Sequence, residues 1–210
     1  MSGRFISLEG GEGAGKTTLI RKLQAHLENQ ELEVVVTREP GGTPGAEDLR
    51  DILLTGATDR WSPVTEALLM YAARVDHVER LIQPALARGA WVLSDRFSDS
   101  TVAYQGAAGG VDIDRIRQLH SVALEDFYPD LTFILDLDPL VGLRRTVERG
   151  EDPTRFEMHE TDFHTSLRNA FLNIAVNEPK RCVVLDAALP PEKVYQAALA
   201  IMSEKLGVFA

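Results

Sequence analysis

The strongest chemical signal in the sequence is a run of glycines near the N-terminus that ends in a lysine and two threonines. Residues 10–18 read GGEGAGKTT and match the pattern G-x-x-x-x-G-K-S/T, between an apolar segment at 5–8 and a segment of helical periodicity. In that context the backbone N–H groups of the loop and the start of the helix bind phosphate groups. Lys16 is predicted to reach the β- and γ-phosphates of a nucleoside triphosphate, and the Thr17 hydroxyl to help hold Mg²⁺.

Composition excludes several other classes of nucleotide-binding protein. The chain has 210 residues with 22 basic and 32 acidic side chains, a formal net charge of −10, which argues against a DNA-translocating ATPase and against duplex nucleic acid or anionic lipid as partners. It has no Asn-Lys-x-Asp segment to read guanine, and its single cysteine, Cys182, excludes a disulfide framework. No apolar run approaches the ~20 residues of a membrane span. We expect a soluble, cytoplasmic kinase that acts on a small phosphorylated acceptor.

The elements that must position this chemistry alternate along the chain. Short apolar runs at 5–8, 34–37, 91–94, 131–137 and 182–185 predict strands. Helical periodicity predicts helices at 16–28, 46–54, 63 to about 89, 112–124, 139–149, 163–176 and 192–206, with a kink at Pro84. This alternation predicts a single α/β domain over 1–210, with a five-stranded parallel sheet covered by helices on both faces. Ligands of such sheets bind beyond the carboxyl ends of the strands.

Three further segments follow predicted strands or lie on the long helix. They read TREPGGT at 37–43, YAAR at 71–74 and SDRFSDSTVAYQG at 94–106. Together with FISLEGGEGAGKTT at 5–18, they closely resemble the thymidylate kinase (dTMP kinase) family, in particular its bacterial type with the catalytic arginine in the lid. The resemblance implies a P-loop kinase that transfers the γ-phosphoryl group of ATP to dTMP, with Mg²⁺, in dTTP synthesis. It also implies a homodimer, formed through helices such as the long one.

The resemblance assigns the two arginines that follow the second and third strands, Arg38 and Arg96, to the 5′-phosphate of dTMP. A phosphate beside the end of ATP brings negative charges together, and each pair of unit charges about 4 Å apart costs about 4 kcal/mol at an effective dielectric constant of about 20. Guanidinium groups and Mg²⁺ offset that repulsion. Asp95 is assigned either to the waters of Mg²⁺ or to the acceptor phosphate, and the sequence leaves both roles open.

The same resemblance assigns the recognition of thymine to Arg74, Thr101 and Gln105. Thymine offers two carbonyl acceptors and one N–H donor, which a guanidinium, a hydroxyl and an amide can satisfy. Tyr104 resembles the residue whose ring crowds the sugar 2′ position, and Glu12 resembles the acidic contact to the 3′-hydroxyl.

Met70 is a departure from the family pattern. Four residues before Arg74 the family usually places a phenylalanine that stacks on thymine. Methionine can pack against a ring through its polarizable sulfur, and Met70 is otherwise a core residue; the sequence leaves both interpretations open.

A lid is predicted at about 144–157, a charged segment that resembles the lid of nucleoside monophosphate kinases. Since the variable positions of the phosphate loop carry no basic residue, the resemblance implies that the lid supplies the catalytic arginine, and Arg149 and Arg155 are the candidates. Arg144 and Arg145 either stack on adenine or pair with nearby acids. The predicted ATP-binding residues are Gly10, Gly11, Glu12, Gly13, Ala14, Gly15, Lys16, Thr17, Thr18 and Arg144.

Two other functions remain compatible with these patterns. One is a P-loop kinase for another nucleoside monophosphate or a nucleoside. The other is a P-loop ATPase that serves as a switch and hydrolyses ATP without any acceptor.

Overall fold

Five strands form one parallel sheet in the computed structural model, which describes residues 3–148, 156, 158 and 160–207. The strands are β1 (Phe5–Glu9), β2 (Val34–Arg38), β3 (Trp91–Asp95), β4 (Leu131–Asp136) and β5 (Cys182–Asp186). Their order in the sheet is β2-β3-β1-β4-β5, and every neighbouring pair is parallel. The predicted number of strands and their parallel pairing are confirmed.

Helices connect the strands and cover both faces of the sheet. They are α1 (Lys16–Asn29), α2 (Pro44–Leu54), α3 (Pro63–His77), α4 (Gln83–Ala87), α5 (Ser98–Thr101), α6 (Ile113–Leu124), α7 (Pro139–Glu148), α8 (Thr161–Asn177) and α9 (Pro191–Leu206). None of the helices in the described ranges is long and apolar enough to cross a membrane.

Alternate residues of each strand enter opposite layers of the core. Ile6 and Leu8 of β1 pack with α1 and α9, whereas Phe5 packs with α3, α4 and α6. In β4, Ile134 packs against α8 on the second face. Because both faces of the central strands are buried, these strands are mostly apolar and do not show the alternation of a half-exposed sheet.

The long predicted helix is less regular than its periodicity indicates. Between α3 and α4 lies one π-helical turn, Val78–Ile82, in which the Gln83 N–H donates to the Val78 carbonyl five residues earlier. Pro84 follows directly and has no N–H to donate. The wider turn therefore replaces regular α-helix immediately before the proline, near the position of the predicted kink.

The segment after β3 was not predicted to be helical, and here the structure differs from the sequence analysis. It forms α5 and then a π-helical segment, Val102–Ala108. Ser, Asp, Thr, Val and Gly are weak helix formers, so local propensity gives little sign of this element. Packing against α8 and α3 stabilises it instead.

Candidate active site

A cleft of about 320 Å³ opens at the carboxyl ends of β1, β2 and β3. Its volume lies within the range typical of small-molecule sites. The predicted site residues that line it are Glu12, Gly13, Ala14, Gly15, Lys16, Thr17, Thr18, Arg38, Met70, Arg74, Asp95, Arg96, Thr101, Tyr104 and Gln105. The structure thus places the predicted phosphate-binding and base-binding side chains in the same cleft.

The phosphate loop joins β1 to α1, and two of its glycines are required by close backbone contacts. A Cβ on Gly10 would lie 2.5 Å from the Leu135 carbonyl oxygen. A Cβ on Gly13 would lie 2.2 Å from the carbonyl oxygen of Gly142 in α7, and a Cβ on Gly142 would lie 2.3 Å from the Glu12 carbonyl oxygen. Because Gly10 and Gly13 have no side chains, the backbone of the loop can lie directly against β4 and α7.

Lys16 is folded over this loop. Its Nζ donates to the carbonyl oxygens of Gly10 and Gly11, at 3.2 and 3.1 Å. Burial lowers the pKa of the Lys16 ammonium group. A cation removed from water in this way interacts strongly with an anion that enters the loop.

Thr17 and Asp95 bring two hard oxygen atoms together beside the loop. The Thr17 Oγ1 lies 3.4 Å from Asp95 Oδ2. The register of the sheet sets this proximity, because Asp95 at the end of β3 pairs with Leu8 of β1 on one side and Arg38 of β2 on the other. Hydroxyl and carboxylate oxygens are the ligands that Mg²⁺ prefers, and a nucleotide-bound Mg²⁺ needs only one or two from the protein.

Arg96 adopts a backbone conformation that is rare for its residue type. Its φ of 75° lies in the left-handed region, where non-glycine residues are strained and are often found at functional sites. Its Nη2 donates to Glu12 at 2.7 Å, and its Nη1 donates to the Gly10 carbonyl at 3.0 Å and the Ser100 hydroxyl at 3.2 Å. Burial alone would lower the pKa of Arg96, but Tyr104 and Glu12 outweigh it, so the guanidinium pKa is raised.

Glu12 and Tyr104 complete this cluster. The Tyr104 hydroxyl donates to the same Glu12 Oε1 at 2.9 Å, and the Arg96 guanidinium lies 5.0 Å from the centre of the Tyr104 ring. Burial would raise the pKa of Glu12, but the positive charges of Arg96 and Lys16 lower it to about 2. Glu12 is therefore a carboxylate at neutral pH, at the point where the phosphate loop faces Arg96 and Tyr104.

A second glutamate, Glu9, binds the segment that directly follows Arg96 in the chain. Glu9 is buried at the end of β1, where it accepts hydrogen bonds from the Phe97 N–H at 2.7 Å and the Ser100 hydroxyl at 2.6 Å. Burial, together with the negative charge of Asp99, raises the pKa of Glu9 to about 8. The sequence analysis did not assign Glu9 a role.

At the opposite end of the cleft, Arg74 is fixed by several partners. Its Nε donates to Glu39 at 2.6 Å, and its Nη2 donates to the Phe97 carbonyl and the Thr101 hydroxyl, each at 3.2 Å. Its Nη1 is buried and has no hydrogen-bond partner within the described ranges. The guanidinium is thus oriented, and the two N–H groups of Nη1 are left for a ligand.

Two more buried side chains extend this network behind Arg74. The second oxygen of Glu39 contacts His77 Nδ1 at 2.9 Å, and His77 Nε2 contacts the Thr37 hydroxyl at 2.7 Å. A carboxylate only accepts, so His77 donates from Nδ1. In a neutral imidazole, Nε2 then accepts from Thr37. Neither Glu39 nor His77 was predicted from the sequence. Glu39 lies within TREPGGT and His77 three residues after Arg74, and these positions were the only sign of a role.

The wall between these ends carries Gln105 and Met70. Gln105 is buried, and its Nε2 donates to Glu66 Oε2 at 3.2 Å. Met70 both lines the cleft and packs against the apolar cluster that contains Tyr104 and Phe171. The two interpretations of Met70 are therefore compatible: it is a core residue with one surface on the cleft.

Arg38 and Arg50 lie at the phosphate end, near the mouth of the cleft. The Arg38 side chain is 56% exposed and donates to Glu47 at 3.0 Å. Arg50 of α2 lines the same cleft and donates to the Pro40 carbonyl at 2.6 Å. Burial, followed by the charge of Arg38, lowers the pKa of Arg50. Arg50 was missed; it lies one helical turn before Leu54, and only the structure shows that both side chains line the cleft.

The residues of the predicted lid are described only in part. Phe156 packs edge-on against Tyr104, with ring centres 5.5 Å apart, and lines the cleft. Arg144 lies exposed on α7, whereas its neighbour Arg145 donates to the Gly13 carbonyl at 3.3 Å. Arg149 and Arg155 lie outside the described residues.

A phosphate loop that shares its cleft with Arg38, Arg74 and Arg96, on a five-stranded parallel sheet, places the chain among the P-loop nucleoside monophosphate kinases, which are phosphotransferases. Comparison with known proteins narrows this class. The family model for thymidylate kinase matches residues 8–198. The chain therefore belongs to the thymidylate kinase family.

Individual relatives agree with this assignment over nearly the whole chain. The thymidylate kinase of Caulobacter vibrioides is 54% identical over 206 residues, which cover 98% of this chain and 99% of that protein. The thymidylate kinase of Rhodopseudomonas palustris is 54% identical over 197 residues, covering 92% and 86%. The crystal structure of thymidylate kinase from Ehrlichia chaffeensis superposes with a TM-score of 0.77 at 32% identity and covers 96% of this chain and 99% of that one.

Proposed function

We propose that the chain transfers the γ-phosphoryl group of ATP to dTMP and releases ADP and dTDP, a step in dTTP synthesis. The observation that carries this proposal is the shared cleft, in which Lys16 of the phosphate loop and the base-facing Arg74 and Gln105 line one cavity. A nucleotide acceptor would lie along this cleft, with its phosphate toward ATP and its base toward α3.

The phosphate end of the cleft supplies positive charge where two anions meet. Lys16 binds the end of ATP, and Arg38 and Arg96 bind the acceptor phosphate. The attacking oxygen of dTMP is already ionised, so the transfer needs alignment and neutralisation of charge rather than a strong base. The exposed Arg38 side chain is free to turn from Glu47 toward the acceptor at little cost, because such surface pairs contribute about 0–1 kcal/mol.

Mg²⁺ would be held by Thr17, with Asp95 binding the ion or its waters. When bound, the ion neutralises charge on the β- and γ-phosphates. The proximity of Thr17 Oγ1 and Asp95 Oδ2, 3.4 Å apart, supports this assignment. Thr17 and Asp95 also orient each other, so both oxygens are in place before ATP enters.

The far end of the cleft recognises the base and the sugar. Arg74 donates its remaining N–H groups to a thymine carbonyl, with Thr101 and Gln105 beside it. The Tyr104 ring closes the sugar site against a 2′-hydroxyl, and Glu12 accepts from the 3′-hydroxyl. Glu12 is suited to this role because its lowered pKa keeps it a carboxylate. Met70 packs against the base.

A lid at about 144–157 closes over the reacting groups and contributes Arg149 or Arg155 to the transition state. The bare phosphate loop supports this assignment, since none of residues 11–14 is basic. Closure also excludes water from the transferring phosphoryl group. Among the neighbouring lid arginines, Arg145 rather than Arg144 contacts the loop, so we assign the ATP-side role on α7 to Arg145.

We further propose a cytoplasmic homodimer. Val64 and Leu68 of α3 are 38% and 53% exposed, and a second copy packed on this helix would cover them. Light scattering of the purified protein tests this proposal, and a monomer mass at micromolar concentration would contradict it.

An acceptor panel tests the proposed reaction. The purified chain with ATP and Mg²⁺ is given dTMP, dUMP, dCMP, UMP or thymidine, and ADP is measured. We expect dTMP to have the highest kcat/KM. Equal use of UMP would contradict the sugar assignment, preference for another acceptor would make this a kinase of different specificity, and ATP hydrolysis that needs no acceptor would indicate a switch ATPase.

A further inference from the structure

Gln105 is held by a buried carboxylate that lies outside the nucleotide cleft. Gln105 and Glu66 are 2% and 8% exposed, and the Gln105 Nε2 donates to Glu66 Oε2 at 3.2 Å. Glu66 stands on α3 four residues before Met70 and eight before Arg74, so the three share one face of that helix. Of these, Met70 and Arg74 line the cleft, whereas Glu66 lies behind its wall.

This contact determines which end of the Gln105 amide faces a ligand. An amide has a donor side, NH₂, and an acceptor side, the Oε1 oxygen. A carboxylate has no proton to donate, so Gln105 must turn its NH₂ toward Glu66. Because the two ends of the amide point in different directions, Oε1 points away from Glu66, and we take it as the atom offered to the cleft that Gln105 lines.

We propose that Glu66 is a positioning residue for base specificity, which fixes the Gln105 amide so that the cleft accepts a pyrimidine whose N3 carries a proton and rejects one whose N3 is a lone pair. Thymine and uracil belong to the first kind, and cytosine to the second. This inference rests on the proposed function, since it concerns the base of the same acceptor.

The expected size of the effect follows from the cost of one mismatched hydrogen bond. Cytosine N3 against Gln105 Oε1 would place two acceptors face to face in a buried site, a mismatch that typically costs a factor of about ten or more in specificity. If the carbonyl assigned to Arg74 is the one at the 4-position, cytosine adds a second mismatch there, because it carries an amino group in place of that carbonyl. Freeing the Gln105 amide would then remove only part of the discrimination.

The Glu66→Gln variant frees the amide without removing its partner. A glutamine at position 66 can accept from Gln105 or donate to it, so both orientations are satisfied and the size of the side chain is kept. We expect kcat/KM for dCMP to rise at least about fivefold relative to dTMP, while dTMP and dUMP keep their ratio to within about twofold. If the role of Glu66 were merely structural, the substitution would lower kcat/KM for all three acceptors together.

Glu79→Gln is the matched control, because it removes one negative charge from an exposed position in the turn that continues α3. We expect its ratio of dCMP to dTMP to equal that of the unchanged protein. If Glu66→Gln gives an unchanged ratio, the inference is wrong. If the unchanged protein does not phosphorylate dTMP at all, the proposed function is wrong instead.

A second measurement needs no substitution and tests the orientation of the Gln105 amide, on which the inference depends, even if Glu66→Gln fails to fold. In 5-fluoro-dUMP the fluorine makes the N3 proton more acidic than in dUMP. If Gln105 offers Oε1, the affinity for 5-fluoro-dUMP relative to dUMP falls as the pH is raised and N3 loses its proton. A ratio that rises or stays constant with pH would overturn the inference.

Discussion

Arg74 and Glu39 form a buried ion pair in which Nε and Oε2 are 2.6 Å apart, and both side chains are almost wholly removed from solvent. Glu39 N–H also donates to the Asp95 carbonyl, at 2.9 Å. The loop that follows β2 is therefore tied both to Arg74 and to the end of β3. Under the proposed function, Glu39 would link the base-binding end of the cleft to its phosphate end.

Removing the charge of Glu39 is expected to destabilise the fold. Glu39→Gln leaves the Arg74 guanidinium buried without its counter-charge, a change that typically costs about 3–5 kcal/mol. Urea unfolding gives the free energy of unfolding, and dTMP titration gives the accompanying loss of affinity. Glu33→Gln, which breaks the exposed pair with Arg88, is the control and should cost less than about 1 kcal/mol. Equal costs for the two variants would contradict the prediction.

Loss of Arg96 is expected to reduce the rate of transfer. Arg96→Ala removes the guanidinium that contacts Glu12 and the phosphate loop and that we assign to the acceptor phosphate, and we expect kcat/KM for dTMP to fall at least about 100-fold. Arg88→Ala, at an exposed position, should leave kcat/KM unchanged. Coupled measurement of ADP release checks both, and a loss of less than about threefold in Arg96→Ala would remove Arg96 from the mechanism.

The lid arginines are expected to act on turnover rather than on acceptor binding. Arg149→Ala or Arg155→Ala should lower kcat at least about tenfold, while the Kd for dTMP measured by calorimetry stays within about twofold. Arg117→Ala, exposed on α6, serves as the control. Full activity in the double variant Arg149→Ala, Arg155→Ala would show that the catalytic charge comes from elsewhere.

Glu9 is expected to make stability depend on pH in the neutral range. Its pKa of about 8 in the folded protein lies above the ordinary value of 4.5, so between these values the folded state holds a proton that the unfolded state has lost. The free energy of unfolding should therefore be fully retained below about pH 4.5 and fall as the pH rises to about 8.

Urea unfolding at pH 5, 6.5 and 8 checks this dependence. Glu9→Gln keeps a neutral hydrogen-bonding side chain toward Ser100, and we expect its stability to fall less steeply over the same range. If the two proteins show the same slope, Glu9 does not carry the pH dependence.

Much of the site was predictable because its chemistry is encoded in short local patterns. The glycine loop lies between a strand and a helix, and Arg38, Asp95 and Arg96 stand at or just after the ends of strands. A parallel sheet brings such ends together whatever the details of packing. The five strands were predictable for a similar reason, since burial on both faces produces continuous apolar runs.

The features that the sequence did not reveal depend on contacts between distant segments. Glu39 and His77 meet across 38 residues, and Gln105 and Glu66 across 39. No local pattern in the sequence indicates that Glu39 contacts His77 or that Glu66 contacts Gln105. On α7 the difference between Arg144 and Arg145 is one step of about 100° around the helix, and only the packed structure shows that Arg145 faces the phosphate loop.

The reciprocal contact between Gly13 and Gly142 has a mechanical consequence. The two backbones lie so close at this point that neither position has room for a methyl group, which blocks any movement of one segment toward the other. We therefore propose that α7 and the phosphate loop are displaced together, so that a shift of α7 also moves a nucleotide held in the loop.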